Sequence, residues 1–211
     1  MDVAIVLYPR FTALDAIGPY EVLRNLPDTV VTFVAESPGE LRNDVGSLGL
    51  VADASLDDLP SPDVIVVPGG PGQADQMQPG RLHDWLRAAH ETSTFTTSVC
   101  TRSLILAAAG LLDGLTATSH WLYLDQLATF GATPTSERVV EQGRIVTAAG
   151  VSSGIDMALR LAAHIAGDDI AQAIQLGIEY DPQPPFDSGS PDNAPAEIVE
   201  FLRSNARTLL E

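Results

Sequence analysis

The chain has 211 residues, with 28 acidic against 11 basic side chains and a net charge of -17. Its 45% apolar content is enough for a sizeable core, which excludes intrinsic disorder. All the basic residues are scattered arginines with no lysine, so neither nucleic acid nor an anionic membrane surface is an expected partner.

VAIVLY (3–8) is continuously apolar and reads as a buried strand. With its acidic second residue, the N-terminus is read as that strand and not as a signal peptide. A helix is expected from Asp15 to Leu26, with Pro19 tolerated near its start. VVTFVAE (30–36) is a second strand, and the glycines of 40–53 suggest a small hairpin. DVIVVPGG (63–70) is a strand ending in a glycine turn, and RLHDWLRAAHE (81–91) is an amphipathic helix. TFTTSV (94–99) is a strand, and RSLILAAAGLL (102–112) is read as a helix that starts at once. Residues 113–149 carry mixed helix, strand and hairpin signals. Helices follow at 151–167 and 169–180, then a proline-rich surface strap at 181–195 and a last helix at 195–210. Strand–helix alternation at this spacing predicts one domain over 1–211, with a mostly parallel sheet covered by helices on both faces.

No apolar run reaches the roughly 18 residues that cross a bilayer, so a cytoplasmic protein is expected. A single cysteine, Cys100, fits a reducing compartment and excludes a thiolate zinc site.

Ligands of open parallel sheets bind beyond the carboxyl ends of the strands. Asp15, Gly69-Gly70 and Cys100 all fall at such ends. Cys100 stands between a strand and a helix, where a sharp elbow would expose its thiol and the helix dipole would lower its pKa. It is equally readable as a small buried hydrophobe. Asp15 could be a helix N-cap or an acid. The glycines could be a plain turn, or could bring backbone amides close to a developing oxyanion. His120 could be structural or functional. Their convergence on one sheet edge favours a site.

LDAIGPYEVL, DVIVVPGGPG, TTSVCTRSLILAAAGLLDGLTATSHW, IVTAAGVSSGIDMALRLAAHIAG and IEYDPQPPFDSGSP resemble the ThiJ/PfpI superfamily, and within it the isocyanide (isonitrile) hydratase branch. The resemblance implies a flavodoxin-like three-layer sandwich with a nucleophile elbow, usually a homodimer. It implies a cofactor-free, metal-free enzyme with a small-molecule substrate. By resemblance Cys100 is the nucleophile, Asp15 the acid bonded to it, and Thr101 a further catalytic residue. The amides of Gly70 and Thr101, with Gly69 and His120, face the substrate. Thr101 replaces the histidine of peptidase-like members, so proteolysis is not implied. Arg102 stands where the family usually has a small residue. It is read as a surface or dimer salt bridge, or as a cation holding the thiolate or a polar group of the substrate.

The implied reaction is attack of Cys100 on the isocyanide carbon, protonation by Asp15, and hydrolysis of a thioimidate to an N-substituted formamide. Two rivals remain open. One is glyoxalase-like hydration of an aldehyde with His120 as base, and the other is a redox sensor built on Cys100.

Overall fold

A strand buried on both faces must be apolar at every position, because neither face meets water. β1 (Asp2–Val6) obeys this, with Val3, Ala4, Ile5 and Val6 all buried. The structure, a computed structural model, describes residues 1–210, without the side chains of 73–75 and 207–210. After β1 come α1 (Ala13–Leu23), β2 (Val30–Ala35), the hairpin β3 and β4 (Gly39–Arg42, Gly49–Ala52), β5 (Ala54–Ser55), β6 (Val64–Val67), α2 (Arg81–Thr92), β7 (Phe95–Val99) and α3 (Ser103–Ala108). Then follow β8 (Thr116–Ala117), β9 (Thr133–Pro134), the hairpin β10 and β11 (Val139–Gln142, Ile145–Ala148), α4 (Ser153–Ala166), α5 (Asp168–Gly177) and α6 (Ala196–Leu210).

Seven strands form one sheet in the order β10-β11-β7-β6-β1-β2-β5. All pairings in it are parallel except that of β10 with β11. Register is fixed across its centre by Val3 opposite Val31 and Val64, and by Val66 opposite Thr97. α1, α4 and α5 cover one face, where Val22, Leu23, Met157, Leu161 and Ile174 pack on Ile5, Val64 and Val66. α2 and α3 cover the other, where Leu82, Leu86, Leu104 and Ile105 pack on Ala4, Ile65 and Val67. This is the expected three-layer flavodoxin-like sandwich.

Three elements differ from expectation. α1 starts at Ala13 and ends at Leu23, with Leu26 in the turn behind it. α3 ends at Ala108 instead of running to Leu112, and Cys100–Arg102 forms a tighter 3-10 turn before it. Gly110, with φ +83°, turns the chain away while Leu112 stays buried. The strap at 181–195, expected to be extended, is mostly exposed and irregular: 181–184 carry no regular structure, and bends and turns make up most of the rest.

The strand order reverses between β1 and β6, since the chain builds outward from β1 to β2 and then returns to the other side. That reversal opens a crevice at the carboxyl ends of the strands, which is where this architecture places ligands.

Candidate active site

Loops after β1, β6 and β7 converge at this crevice. Cys100 directly follows β7 and takes φ +62°, a left-handed conformation that is strained for a residue with a Cβ. Its backbone is tied on both sides, which holds that strain. The Cys100 amide donates to the Ala149 carbonyl at 2.7 Å, and the Ser119 hydroxyl donates to the Cys100 carbonyl at 3.0 Å. This is the sharp elbow that the strand–helix junction predicted.

Asp15 lies in the first turn of α1 and is fully buried. The helix N-cap is Thr12, so the capping role open to Asp15 is ruled out by position. One oxygen of Asp15, Oδ2, accepts from the Gly69 amide at 2.9 Å, and the Cys100 side chain lies beside the carboxyl across Gly69. Its other oxygen, Oδ1, has no hydrogen-bond partner among the described residues. Burial raises the Asp15 pKa from 3.8 to about 8, opposed by the Gly69 amide and the neighbouring Cys100 thiol and helped by the nearby Asp44 charge. At neutral pH this carboxyl therefore holds its proton.

Gly69 has no room for a side chain. A Cβ there would stand 2.7 Å from Asp15 Oδ2, 2.7 Å from the Cys100 Cβ and 2.8 Å from the Val99 carbonyl oxygen. Gly70 has φ +137°, outside what other residues readily adopt. Its amide donates to Thr101 Oγ1 at 3.2 Å, so in this resting arrangement it faces Thr101. Thr101 follows Cys100 directly and is itself buried.

The thiol departs from expectation. Burial and the adjacent Asp15 push the Cys100 pKa well up, and the neighbouring Thr101 amide and hydroxyl only partly oppose them. A short 3-10 turn and a six-residue helix do not outweigh desolvation. The resting group is a thiol, not a thiolate.

His120 sits at the same edge, following Ser119. The Leu122 amide donates to its Nδ1 at 3.3 Å, which leaves the ring hydrogen on Nε2, and burial lowers its pKa so that it stays neutral. A cavity of about 290 Å³ lies alongside, lined by Tyr8, Pro9, Glu36, Leu41, Leu56 and Leu82 among others, but by none of the six candidate residues.

The DJ-1/PfpI sequence profile matches residues 1–164. The chain belongs to the DJ-1/PfpI family. It is similar along its whole length to the isonitrile hydratase of Pseudomonas putida, with 44% identity over 211 residues, all of this chain and 92% of that protein. A ThiJ/PfpI family protein from Pseudomonas syringae superposes with a TM-score of 0.93 at 35% identity, covering 98% of this chain and 86% of that one. DJ-1beta of Drosophila melanogaster shares the fold, with a TM-score of 0.78 at 23% identity over 86% of this chain and 98% of that one.

Within this DJ-1/PfpI frame, Asp15, Gly69, Gly70, Cys100 and Thr101 come together, while His120 contributes no bond to Cys100 among those described. Of the readings made of Arg102, burial excludes the surface ion pair. The side chain is fully buried. Its guanidinium carbon lies 3.4 Å from the centroid of the Tyr8 ring. Tyr8, Ser119 and Ala149 also escaped the sequence reading. Ser119 had one usable signal, its place beside His120 after a short element; Tyr8 and Ala149 act through partners distant in sequence.

Proposed function

We propose that this DJ-1/PfpI protein is an isocyanide (isonitrile) hydratase, a hydro-lyase that converts R–N≡C and water to the formamide R–NH–CHO. What supports it is a fully buried Asp15 beside Cys100, its carboxyl pKa raised to about 8, in a chain 44% identical, end to end, to an isonitrile hydratase.

The residues divide the work as follows. The Cys100 sulfur attacks the terminal carbon of the isocyanide and forms the S–C bond. Its thiol hydrogen passes to one oxygen of Asp15, while the carboxyl proton moves from the other oxygen to that carbon. The result is a thioimidate, R–N=CH–S–Cys100, with Asp15 again neutral. Water then adds to the carbon with one of its protons going to the nitrogen, and the C–S bond breaks as the remaining hydroxyl proton passes to the sulfur, giving the formamide and the Cys100 thiol. Thr101 receives the departing sulfur with its amide and hydroxyl, and Gly69, Gly70 and His120 line the substrate side. No step calls for a metal or an organic cofactor.

This mechanism suits the thiol described above. An isocyanide carbon must gain both a nucleophile and a proton, and a thiol beside a neutral carboxyl supplies both without a standing thiolate. A peroxide sensor would need the opposite, an accessible low-pKa thiolate. The same reading gives a cytoplasmic homodimer. Leu14 with Val45, Leu48 and Val51 of the β3–β4 region offers exposed apolar surface for a second copy.

The test uses the purified protein with cyclohexyl isocyanide and, in parallel, methylglyoxal. Formation of N-cyclohexylformamide, with a transient adduct of isocyanide mass on Cys100, is the expected result. Consumption of methylglyoxal with the isocyanide untouched would overturn it in favour of aldehyde hydration.

A further inference from the structure

A buried cation normally keeps a carboxylate or several acceptors beside it, because desolvation penalises an uncompensated charge. Arg102 has neither. It is fully buried, and Nε, Nη1 and Nη2 all lack a hydrogen-bond partner among the described residues. Burial lowers its pKa only to about 10, so it remains charged at neutral pH. What the guanidinium does have is the face of Tyr8, at 3.4 Å, the arrangement in which a cation meets the negative face of an aromatic ring.

Tyr8 in turn is committed to the site. Its hydroxyl donates to the Pro68 carbonyl at 3.0 Å, a buried bond. That carbonyl belongs to the same peptide group as the Gly69 amide, which donates to Asp15 Oδ2 at 2.9 Å. A hydrogen bond accepted at the carbonyl of a peptide makes its N–H a stronger donor, by roughly 10–30% per bond. A cation over the phenol ring strengthens the phenol as a donor for the same electrostatic reason. The contacts therefore run from Arg102 through the Tyr8 ring and hydroxyl, through one peptide plane, to the carboxyl beside Cys100.

We propose that Arg102 is a positioning residue: stacked on Tyr8, it holds the Pro68–Gly69 peptide against Asp15 and so sets when that acid gives up its proton. The proposal rests on the hydratase reading for its role in turnover, although the contacts stand without it.

The charged and titratable groups around this chain are few and act in known directions. Cys100 and Asp44 face Asp15, while Arg102, Asp15, Cys100 and Asp44 act on Tyr8. The Arg102 charge also reaches His83 on α2. The Gly69 amide lowers the proton affinity of Asp15. Weakening that bond must therefore raise it, and the carboxyl will stay protonated to higher pH.

Tyr8→Phe removes the hydroxyl and keeps the ring. Arg102→Met keeps the volume of the stem and removes the charge, and Arg102→Lys keeps a cation. The expected result is that Tyr8→Phe and Arg102→Met each move the alkaline limb of the kcat/KM profile upward, by about half a pH unit or more, with KM changed less than about twofold. Arg102→Lys should restore most of the wild-type limb. The double variant should shift by less than the sum of the singles, because both act through one bond. A merely structural role would lower the rate without moving the limb. An unmoved limb in folded Tyr8→Phe overturns the proposal, whatever becomes of Arg102→Met. The infrared carbonyl band of protonated Asp15, with Asp15→Asn as blank, follows the same titration without substrate. If the wild type leaves isocyanides untouched, the hydratase reading fails while this band still decides the brace.

Discussion

A carboxyl that keeps its proton to about pH 8 has measurable consequences for both rate and stability. As the acid of the reaction, Asp15 must be neutral, so kcat/KM should be level through neutral pH and fall as pH rises through about 8. Asp15→Asn can still accept from Gly69 but cannot cycle a proton, and should lower kcat at least about a hundredfold. Its stability should move the other way. Below pH 3.8 the carboxyl is protonated in the folded and the unfolded chain alike. Between 3.8 and about 8 the folded chain binds a proton that the unfolded chain does not, so stability falls as pH rises. Asp15→Asn removes that penalty. Urea unfolding should show little gain near pH 4 and a gain on the order of a few kcal/mol at pH 8. Equal stabilities at pH 8 would mean that Asp15 is not buried as a neutral acid. For Cys100 the expectation is simpler. Cys100→Ser should fold and lose turnover, since a hydroxyl is a far poorer nucleophile. Retained turnover would remove the covalent step.

The Gly69-Gly70 turn shows how one short segment can carry a site. Gly69→Ala would press a methyl group against Asp15, Cys100 and the backbone of β7 at once, and the backbone oxygen of Val99 cannot step aside cheaply. A loss of about 1–3 kcal/mol of stability is expected, with turnover falling more than the folded fraction does. Unchanged kinetics in circular-dichroism-matched samples would contradict the close packing. The glycines themselves were legible in the sequence because they end an apolar run, and Cys100 was legible because it joins a strand to a helix. Asp15 was legible as a residue at a strand end, although its use as a buried acid needed the fold. Arg102 was not. Two residues after the nucleophile, an arginine reads as solvent-facing, and only tertiary packing places it under Tyr8. The α3 boundary was misread for a related reason: LILAAAGLL stays apolar because Leu111 and Leu112 pack in the core after the helix has ended at Ala108. The alternation of strands and helices was plain throughout, whereas strand order depends on crossovers that periodicity does not encode.

At the scale of the whole molecule, charge governs association. With a net charge of -17 per chain, two copies repel one another, and salt screens that repulsion with a Debye length of about 10 Å at 0.1 M. Gel filtration at micromolar concentration should give a dimer-sized peak that shifts toward monomer as ionic strength is lowered. A monomer-sized peak at every salt concentration would contradict the homodimer. The sheet edges bear on the same question. One edge strand, β5, has only two residues, and the other, β10, is a four-residue hairpin arm that carries exposed Glu141 and Gln142. Neither offers a long free ladder of amides and carbonyls to another chain. Growth by edge-to-edge pairing, the route to cross-β fibres, is thus blocked at both ends, so partially unfolded protein should clump through exposed core rather than template ordered filaments.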